Sequence, residues 1–108
     1  MKRKIKQQTF PHALQRLFEI IALLETPQEV QAFFEDLCTP AEIAAMADRW
    51  LVVPEIIAEK PYRQIHEETA VSITTIGRVA RAIAYGRGGY NLLNERLQRQ
   101  KCKQLTIA

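Results

Sequence analysis

The stretch that decides the fold is residues 60–85, KPYRQIHEETAVSITTIGRVARAIAY. It predicts two short helices joined by a tight turn. Ser72 is placed to cap the second helix by accepting a backbone N–H bond. Apolar residues at three-to-four spacing then define one buried face of that helix: Ile73, Ile76, Ala80 and Ile83. The stretch therefore predicts a helix-turn-helix with an amphipathic second helix.

The opposite face of the second helix is polar and basic, with Thr74, Thr75, Arg78 and Arg81. Hydroxyl groups near a helix start, followed by guanidinium groups one and two turns later, suit a helix that enters a major groove and holds phosphates. This pattern favours a DNA-reading unit. The alternative is an ordinary pair of helices with a solvated charged face.

The first helix of the pair is expected to begin with Pro61. A backbone N–H at the first helical position has no intrahelical partner, so proline, which lacks this group, is tolerated there. Ile65 then points into the core, and Arg63 and His66 are left to meet a DNA backbone. Many helix-turn-helix units have glycine in the turn, where this chain has Ala70.

Length and composition predict one all-α domain. The chain has 108 residues, 47% of them hydrophobic and only 4 of them glycine. We expect a basic N-terminal tail at residues 1–9, a helical domain at 10–100 with the helix-turn-helix at 61–84, and a tail at 101–108. No apolar stretch is long enough for a bilayer and no signal-peptide core follows the first charges, so a cytoplasmic protein without membrane contact is expected.

Positive charge collects on the predicted DNA-reading unit and on both termini. Residues 60–87 hold five basic side chains and two acidic ones, whereas residues 10–59 are acidic overall. This division favours a polyanionic partner on one face of the molecule.

Outside the reading unit, Pro11 is expected to start a first helix, and Thr26 and Thr39 to cap the second and third. The third should contain Pro54, and a sixth should run from Tyr90 to about Arg99. The apolar faces of the first two of these six helices are broad. They favour a homodimer, which also lets two reading helices meet a two-fold DNA site.

No catalytic or metal-binding pattern is present. Neither His12, His66, Cys38 nor Cys102 has acid, base or metal-ligand partners at a suitable spacing. We therefore expect no enzyme activity and no metal or other cofactor. The open alternative to a DNA-binding protein is a helical protein–protein interaction module, and salt dependence of binding separates the two.

The segments LCTPAEIAAMADRW at residues 37–50 and SITTIGR at 72–78 together resemble the Trp repressor family, most closely its uncharacterised YerC/YecD-type branch. The resemblance covers roughly residues 24–97. It implies an intertwined all-α homodimer that acts as a sequence-specific transcriptional regulator, a repressor, on double-stranded DNA. It also implies base reading by Ile73, Thr74 and Gly77, and phosphate contacts from Arg63 and His66.

The same resemblance implies an effector site for an amino-acid corepressor, held between Arg49 and Arg78 with Thr39 near its carboxylate. Val79 stands where the family has glycine and is expected to crowd that pocket. The alternative for Arg49 is an ion pair with an acid such as Glu42 or Asp48. The complete predicted DNA-contact set is Arg63, His66, Ser72, Ile73, Thr74, Thr75, Gly77, Arg78 and Arg81.

Overall fold

The computed structural model describes the backbone of residues 9–107 and the side chains of residues 11–103. This part of the chain forms six α-helices and no strand, as predicted. The helices are α1 (Thr9–Ile21), α2 (Pro27–Leu37), α3 (Pro40–Ile57), α4 (Tyr62–Thr69), α5 (Ile73–Tyr85) and α6 (Gly89–Ile107). None of the described helices is long and apolar enough to cross a membrane. The chain divides into two compact units, Met1–Pro40 and Ala41–Ala108.

In the first unit, the predicted cap of α2 is confirmed. The Thr26 hydroxyl oxygen accepts a bond from the Glu29 N–H at 3.1 Å, and Pro27 is the first helical residue. The Glu29 carboxylate accepts from the Glu25 N–H at 2.9 Å, one residue before the cap. The entry to α2 is therefore fixed by two bonds to backbone donors that would otherwise lack partners.

The apolar faces of α1 and α2 are only partly covered. Among the described side chains of residues 11–40, none is buried. Phe18 is 59% exposed and Leu23 is 75% exposed. Further large hydrophobic side chains are exposed along both helices: Leu14, Ile20, Val30 and Leu37. This unit buries little apolar surface within a single chain.

In the second unit, a small aliphatic core joins α3, α4, the turn after α4, and α5. Its members are Val52, Val53, Ile65, Val71, Ile76 and Val79. Trp50 packs against this core and lies next to Tyr90, with ring centroids 6.4 Å apart. Burial of this cluster holds the helix-turn-helix against α3.

The end of α3 is tied to α4. Glu59 adopts a left-handed conformation with φ 63°, and the Lys60 N–H bonds back to the Glu55 carbonyl at 3.2 Å. This is the Schellman arrangement that closes a helix. The Lys60 ammonium then lies 2.6 Å from Glu55 and 3.2 Å from Glu68 of α4. Its hydrogen bond to the Glu55 carboxylate, which has the larger effect, and its hydrogen bond to the Glu68 carboxylate raise the pKa of Lys60.

Several predicted boundaries differ from the structure. α1 begins at Thr9, so Pro11 lies inside its first turn, where a missing N–H is still tolerated. Pro61 is the cap of α4 rather than its first residue, because its ψ of 142° is not helical. α6 continues to Ile107 instead of ending near Arg99. Its last eight residues contain neither proline nor glycine, so nothing in the sequence stops the helix.

The predicted buried face of α5 needs one correction. Ile76 is fully buried and Ile83 packs against the core, but Ile73 is 47% exposed. Val79 takes the buried position that the pattern had not assigned. The buried side of α5 is centred on Ile76, Val79 and Ile83, and Ile73, the first residue of the helix, lies at its edge. Of the predicted tails, residues 1–8 and Ala108 lie outside the described residues.

Candidate nucleic-acid interface

A set of local hydrogen bonds fixes the turn between α4 and α5. Ala70 has a left-handed conformation, φ 64° and ψ 4°, and its N–H bonds to the His66 carbonyl at 2.8 Å. The His66 ring nitrogen Nδ1 lies 2.7 Å from the Val71 carbonyl oxygen. The Thr69 hydroxyl donates to the Ile65 carbonyl at 2.7 Å and accepts from the Val71 N–H at 3.2 Å. These bonds set the direction in which α5 leaves the turn.

The start of α5 is held by two hydroxyl groups. The Ser72 oxygen accepts from the Thr75 N–H at 3.1 Å, which confirms the predicted cap. The Ser72 hydroxyl also donates to the Thr75 hydroxyl oxygen at 3.0 Å. Both side chains therefore serve to order the first turn of the helix. Their predicted DNA contacts remain predictions.

The exposed face of α5 carries the remaining predicted reading residues. Ile73, Thr74, Arg78 and Arg81 are exposed, and Gly77 is half-buried. A Cβ built on Gly77 would meet no atom within 4 Å, so the position leaves room on the helix surface. On α4, Arg63 and His66 are also exposed. The helix-turn-helix thus presents a surface with three guanidinium groups.

A cavity of about 300 Å³ lies between α3, α5 and α6. Arg49 and Arg78, the two predicted effector-binding arginines, both line it, and so does Asp48. The other lining residues are Ala45, Thr75, Val79, Ala82 and Tyr90. The structure therefore brings together two cationic groups, a carboxylate and a phenol around one space.

The charged groups of this cavity are not paired with one another. In the described part of the chain, Arg49, Arg78 and Asp48 form no ion pair, so the Asp48 alternative for Arg49 is not realised. Among the described residues Arg49 forms no ion pair with Glu42 either. Val79, which was expected to crowd the effector pocket, is 2% exposed with its side chain in the core. A cavity of about 300 Å³ is present beside it.

Thr39 belongs to the first unit and the cavity is lined from the second unit alone, so the predicted role of Thr39 remains a prediction. The sequence interpretation missed Tyr90 as a lining residue. The only signal for it is its position directly after Gly88 and Gly89, at the start of a helix. Among the described residues, no group of three or more His, Cys, Asp or Glu side chains could hold a metal ion.

Comparison with known proteins decides the family. The family profile described as Trp repressor protein matches residues 12–101. The chain belongs to the Trp repressor family. The resemblance seen in the sequence is therefore confirmed, and this family is one of DNA-binding transcription regulators.

The chain is also similar to individual proteins in sequence and in fold. The uncharacterized protein YerC of Bacillus subtilis (strain 168) is 36% identical over 85 residues, which is 79% of this chain and 82% of YerC. A TrpR-like protein from Eubacterium eligens ATCC 27750 superposes with a TM-score of 0.76 at 38% identity, over 81% of this chain and 90% of its own. A candidate Trp repressor from Staphylococcus aureus gives a TM-score of 0.77 at 33% identity, over 87% of this chain and 96% of its own.

Proposed function

We propose that the protein is a sequence-specific transcriptional regulator, a repressor, that binds double-stranded DNA as a cytoplasmic homodimer through α5 in the major groove. The observation that carries the proposal is the exposed face of α5. Thr74, Arg78 and Arg81 lie along one side of a helix whose other side is buried against α3. A recognition helix needs this combination of a rigid base and a free polar face.

The reading part of α5 is its first turn and a half. Ile73 offers an exposed apolar side chain of the kind that contacts a thymine methyl group, and Thr74 offers a hydroxyl for a base edge. Gly77 lets the helix backbone approach the groove wall. Arg63 and His66, one turn apart on α4, supply phosphate contacts on the other side of the turn.

The partly covered apolar faces of α1 and α2 support the homodimer. A soluble chain rarely exposes so many large hydrophobic side chains on two adjacent helices unless a partner covers them. A second copy would bury Phe18 and Leu23 and would place two copies of α5 on one DNA duplex. A different protein partner would also cover these faces, which is why the interaction-module alternative is kept as an outcome of the test.

The cavity between Arg49 and Arg78 supports an effector with a carboxylate, such as an amino acid. Two guanidinium groups without a carboxylate partner can bind such a ligand by charge-assisted hydrogen bonds, and Asp48 can accept from an amino group. Arg78 also belongs to the DNA-facing side of α5, so an effector there would act directly on the reading surface.

A binding selection tests the proposal. Purified protein is incubated with genome fragments, with and without a mixture of amino acids, and the retained DNA is sequenced. A two-fold motif enriched in at least one condition is expected, and enrichment only with amino acids would support an effector at Arg49 and Arg78. Failure to enrich any motif in both conditions would remove the DNA-binding proposal in favour of the interaction module.

A further inference from the structure

Tyr85, the last residue of α5, is an aromatic side chain with 86% of its surface exposed. It continues a stripe along the helix. Thr74, Arg78, Arg81 and Tyr85 follow one another at spacings of four, three and four, which places all four side chains on one helix face. The DNA-facing side of α5 therefore extends to its C-terminal end.

This end of the stripe borders an open concavity of about 450 Å³. Arg78, Arg81 and Tyr85 line it together with Ala82 and Gly86, so its described lining holds two guanidinium groups and a phenol but no carboxylate. Its chemistry suits an anion with several acceptor oxygens.

Gly86 caps the C-terminal end of α5 and lines this concavity. Its N–H bonds to the Ala82 carbonyl at 2.8 Å, and a Cβ on Gly86 would stand 2.4 Å from that same oxygen. Only glycine lets the backbone pass this close to the end of α5 before the chain turns away to α6. The turn leaves the ring of Tyr85 without cover.

We propose that this concavity binds a phosphate group of the DNA backbone at the edge of the major groove, with the Arg81 guanidinium and the Tyr85 hydroxyl as donors. The inference rests on the proposed function and adds a second contact region to it. Tyrosine hydroxyls and arginines are both frequent donors to DNA phosphates.

The dimensions of a helix and a groove support this assignment. Along α5, Arg81 lies about 10 Å and Tyr85 about 16 Å from Thr74. The major groove is about 8.5 Å deep. When Thr74 reaches the base edges, Arg81 lies near the height of the phosphates that border the groove. The ring of Tyr85 then lies just beyond these phosphates, and its hydroxyl can donate to the phosphate that binds Arg81.

A salt titration with matched variants tests the proposal. Fluorescence anisotropy measures binding of the full chain to a duplex carrying the enriched motif and to a scrambled duplex, from low to moderate salt. The variants are Arg81→Gln and Tyr85→Phe. The control is Arg99→Gln, an arginine paired with Glu95 on α6.

Each lost phosphate contact lowers the slope of log affinity against log salt by about 1, so Arg81→Gln should lower it by about 2 in a homodimer. Tyr85→Phe removes one neutral donor from each subunit and should weaken binding of the homodimer about 5- to 150-fold at an unchanged slope. Both variants should lose the same factor on the two duplexes, because phosphate contacts carry no sequence information. Arg99→Gln should bind like the wild type.

Three results would overturn the inference. If the wild type binds the motif and both variants match it in affinity and slope, the concavity binds no phosphate although the proposed function stands. If Tyr85→Phe lowers the oligomer mass in sedimentation, Tyr85 belongs to a subunit contact. If the wild type itself binds neither duplex, the proposed function fails as well. Far-UV circular dichroism verifies that each variant is folded.

Discussion

The ring nitrogen Nδ1 of His66 lies 2.7 Å from the carbonyl oxygen of Val71, across the turn that joins α4 to α5. A carbonyl oxygen only accepts, so Nδ1 carries the hydrogen and donates. The imidazole thereby binds the last turn of α4 to the residue before the cap of α5. This bond gives His66 a positioning role in addition to its predicted phosphate contact.

Two substitutions at His66 separate these roles. His66→Ala should lower the free energy of unfolding by about 0.5–1.5 kcal/mol, the usual worth of one hydrogen bond, and should weaken DNA binding. In His66→Asn the side-chain amide can replace Nδ1, so stability should stay within about 0.5 kcal/mol of the wild type while DNA binding still weakens. Urea unfolding and anisotropy measure the two effects. Equal stability of the alanine variant and the wild type would argue against the positioning role.

Ala70→Gly should stabilise the protein. Ala70 has φ 64°, a conformation that costs an L-residue with a Cβ about 1–2 kcal/mol. Part of this gain is offset because glycine has more freedom in the unfolded chain, so we expect a net gain of about 0.5–1 kcal/mol. Ala44→Gly, on an exposed part of α3, is the control and should lose about 1 kcal/mol. A loss of stability in Ala70→Gly would contradict the left-handed turn.

Trp50→Ala should lower the free energy of unfolding by about 3 kcal/mol, the lower end of the range for large aromatic side chains. The indole packs against the core and against Tyr90, but it is only half-buried. Trp50→Phe retains part of these contacts and should lose clearly less. Unfolding curves at one fixed protein concentration are required, because the proposed dimerisation would add to apparent stability. A near-neutral Trp50→Ala would show that this ring is not part of the core.

The Lys60–Glu68 pair predicts a pH dependence of stability. A hydrogen bond from Gln64, which has the larger effect, and one from Lys60 lower the pKa of Glu68 below its usual 4.5. Hydrogen bonds to the Glu55 and Glu68 carboxylates raise the pKa of Lys60 above its usual 10.5. The Glu68 contribution is thus present above pH 4.5 and lost as pH falls through the lower folded value. The contribution of Lys60 to stability is present below pH 10.5 and is lost as the pH rises through the higher pKa that Lys60 has in the folded state. Glu68→Gln should therefore show a smaller loss of stability than the wild type between pH 5 and pH 3 in thermal melts. If the wild type and Glu68→Gln lost the same amount of stability between pH 5 and pH 3, the pair would not affect folding.

Thr74→Ala and Arg78→Ala should each remove binding to the motif duplex without changing the helical signal or the oligomer mass. Both side chains are exposed, and in the described structure neither holds the fold together. Thr74→Ala should act mainly on the motif duplex, whereas Arg78→Ala should weaken binding to any duplex. Circular dichroism and sedimentation provide the controls. Loss of folding in either variant would contradict the surface assignment.

Local signals explain which parts of the fold could be predicted from the sequence. The caps at Thr26 and Ser72 were predictable because each bond joins residues three apart in the chain. The helix boundaries at Pro61 and Arg99 were less so. A proline fits the cap and the first helical position almost equally well, and no stop signal follows Arg99.

The candidate site was predictable only in its chemistry. The alternation of polar and apolar residues identified the exposed side of α5, but it also assigned Ile73 to the core. Periodicity does not show which residue lies at the edge of the buried side and which lies at its centre. The His66–Val71 bond, the left-handed Ala70 and the presence of Tyr90 and Arg49 in the lining of one cavity depend on the path of the backbone in three dimensions. No spacing in the sequence encodes them.

The most direct test of the account is a nuclear magnetic resonance titration of the ¹⁵N-labelled protein with the enriched duplex, which reports the amides that DNA perturbs. We predict that the largest shifts fall on residues 63–66 of α4, on the cap Ser72 and on residues 73–85 of α5, with α1 and α2 nearly unchanged. Shifts confined to α1 and α2, with α5 unaffected, would contradict the assignment of α5 as the DNA-reading helix.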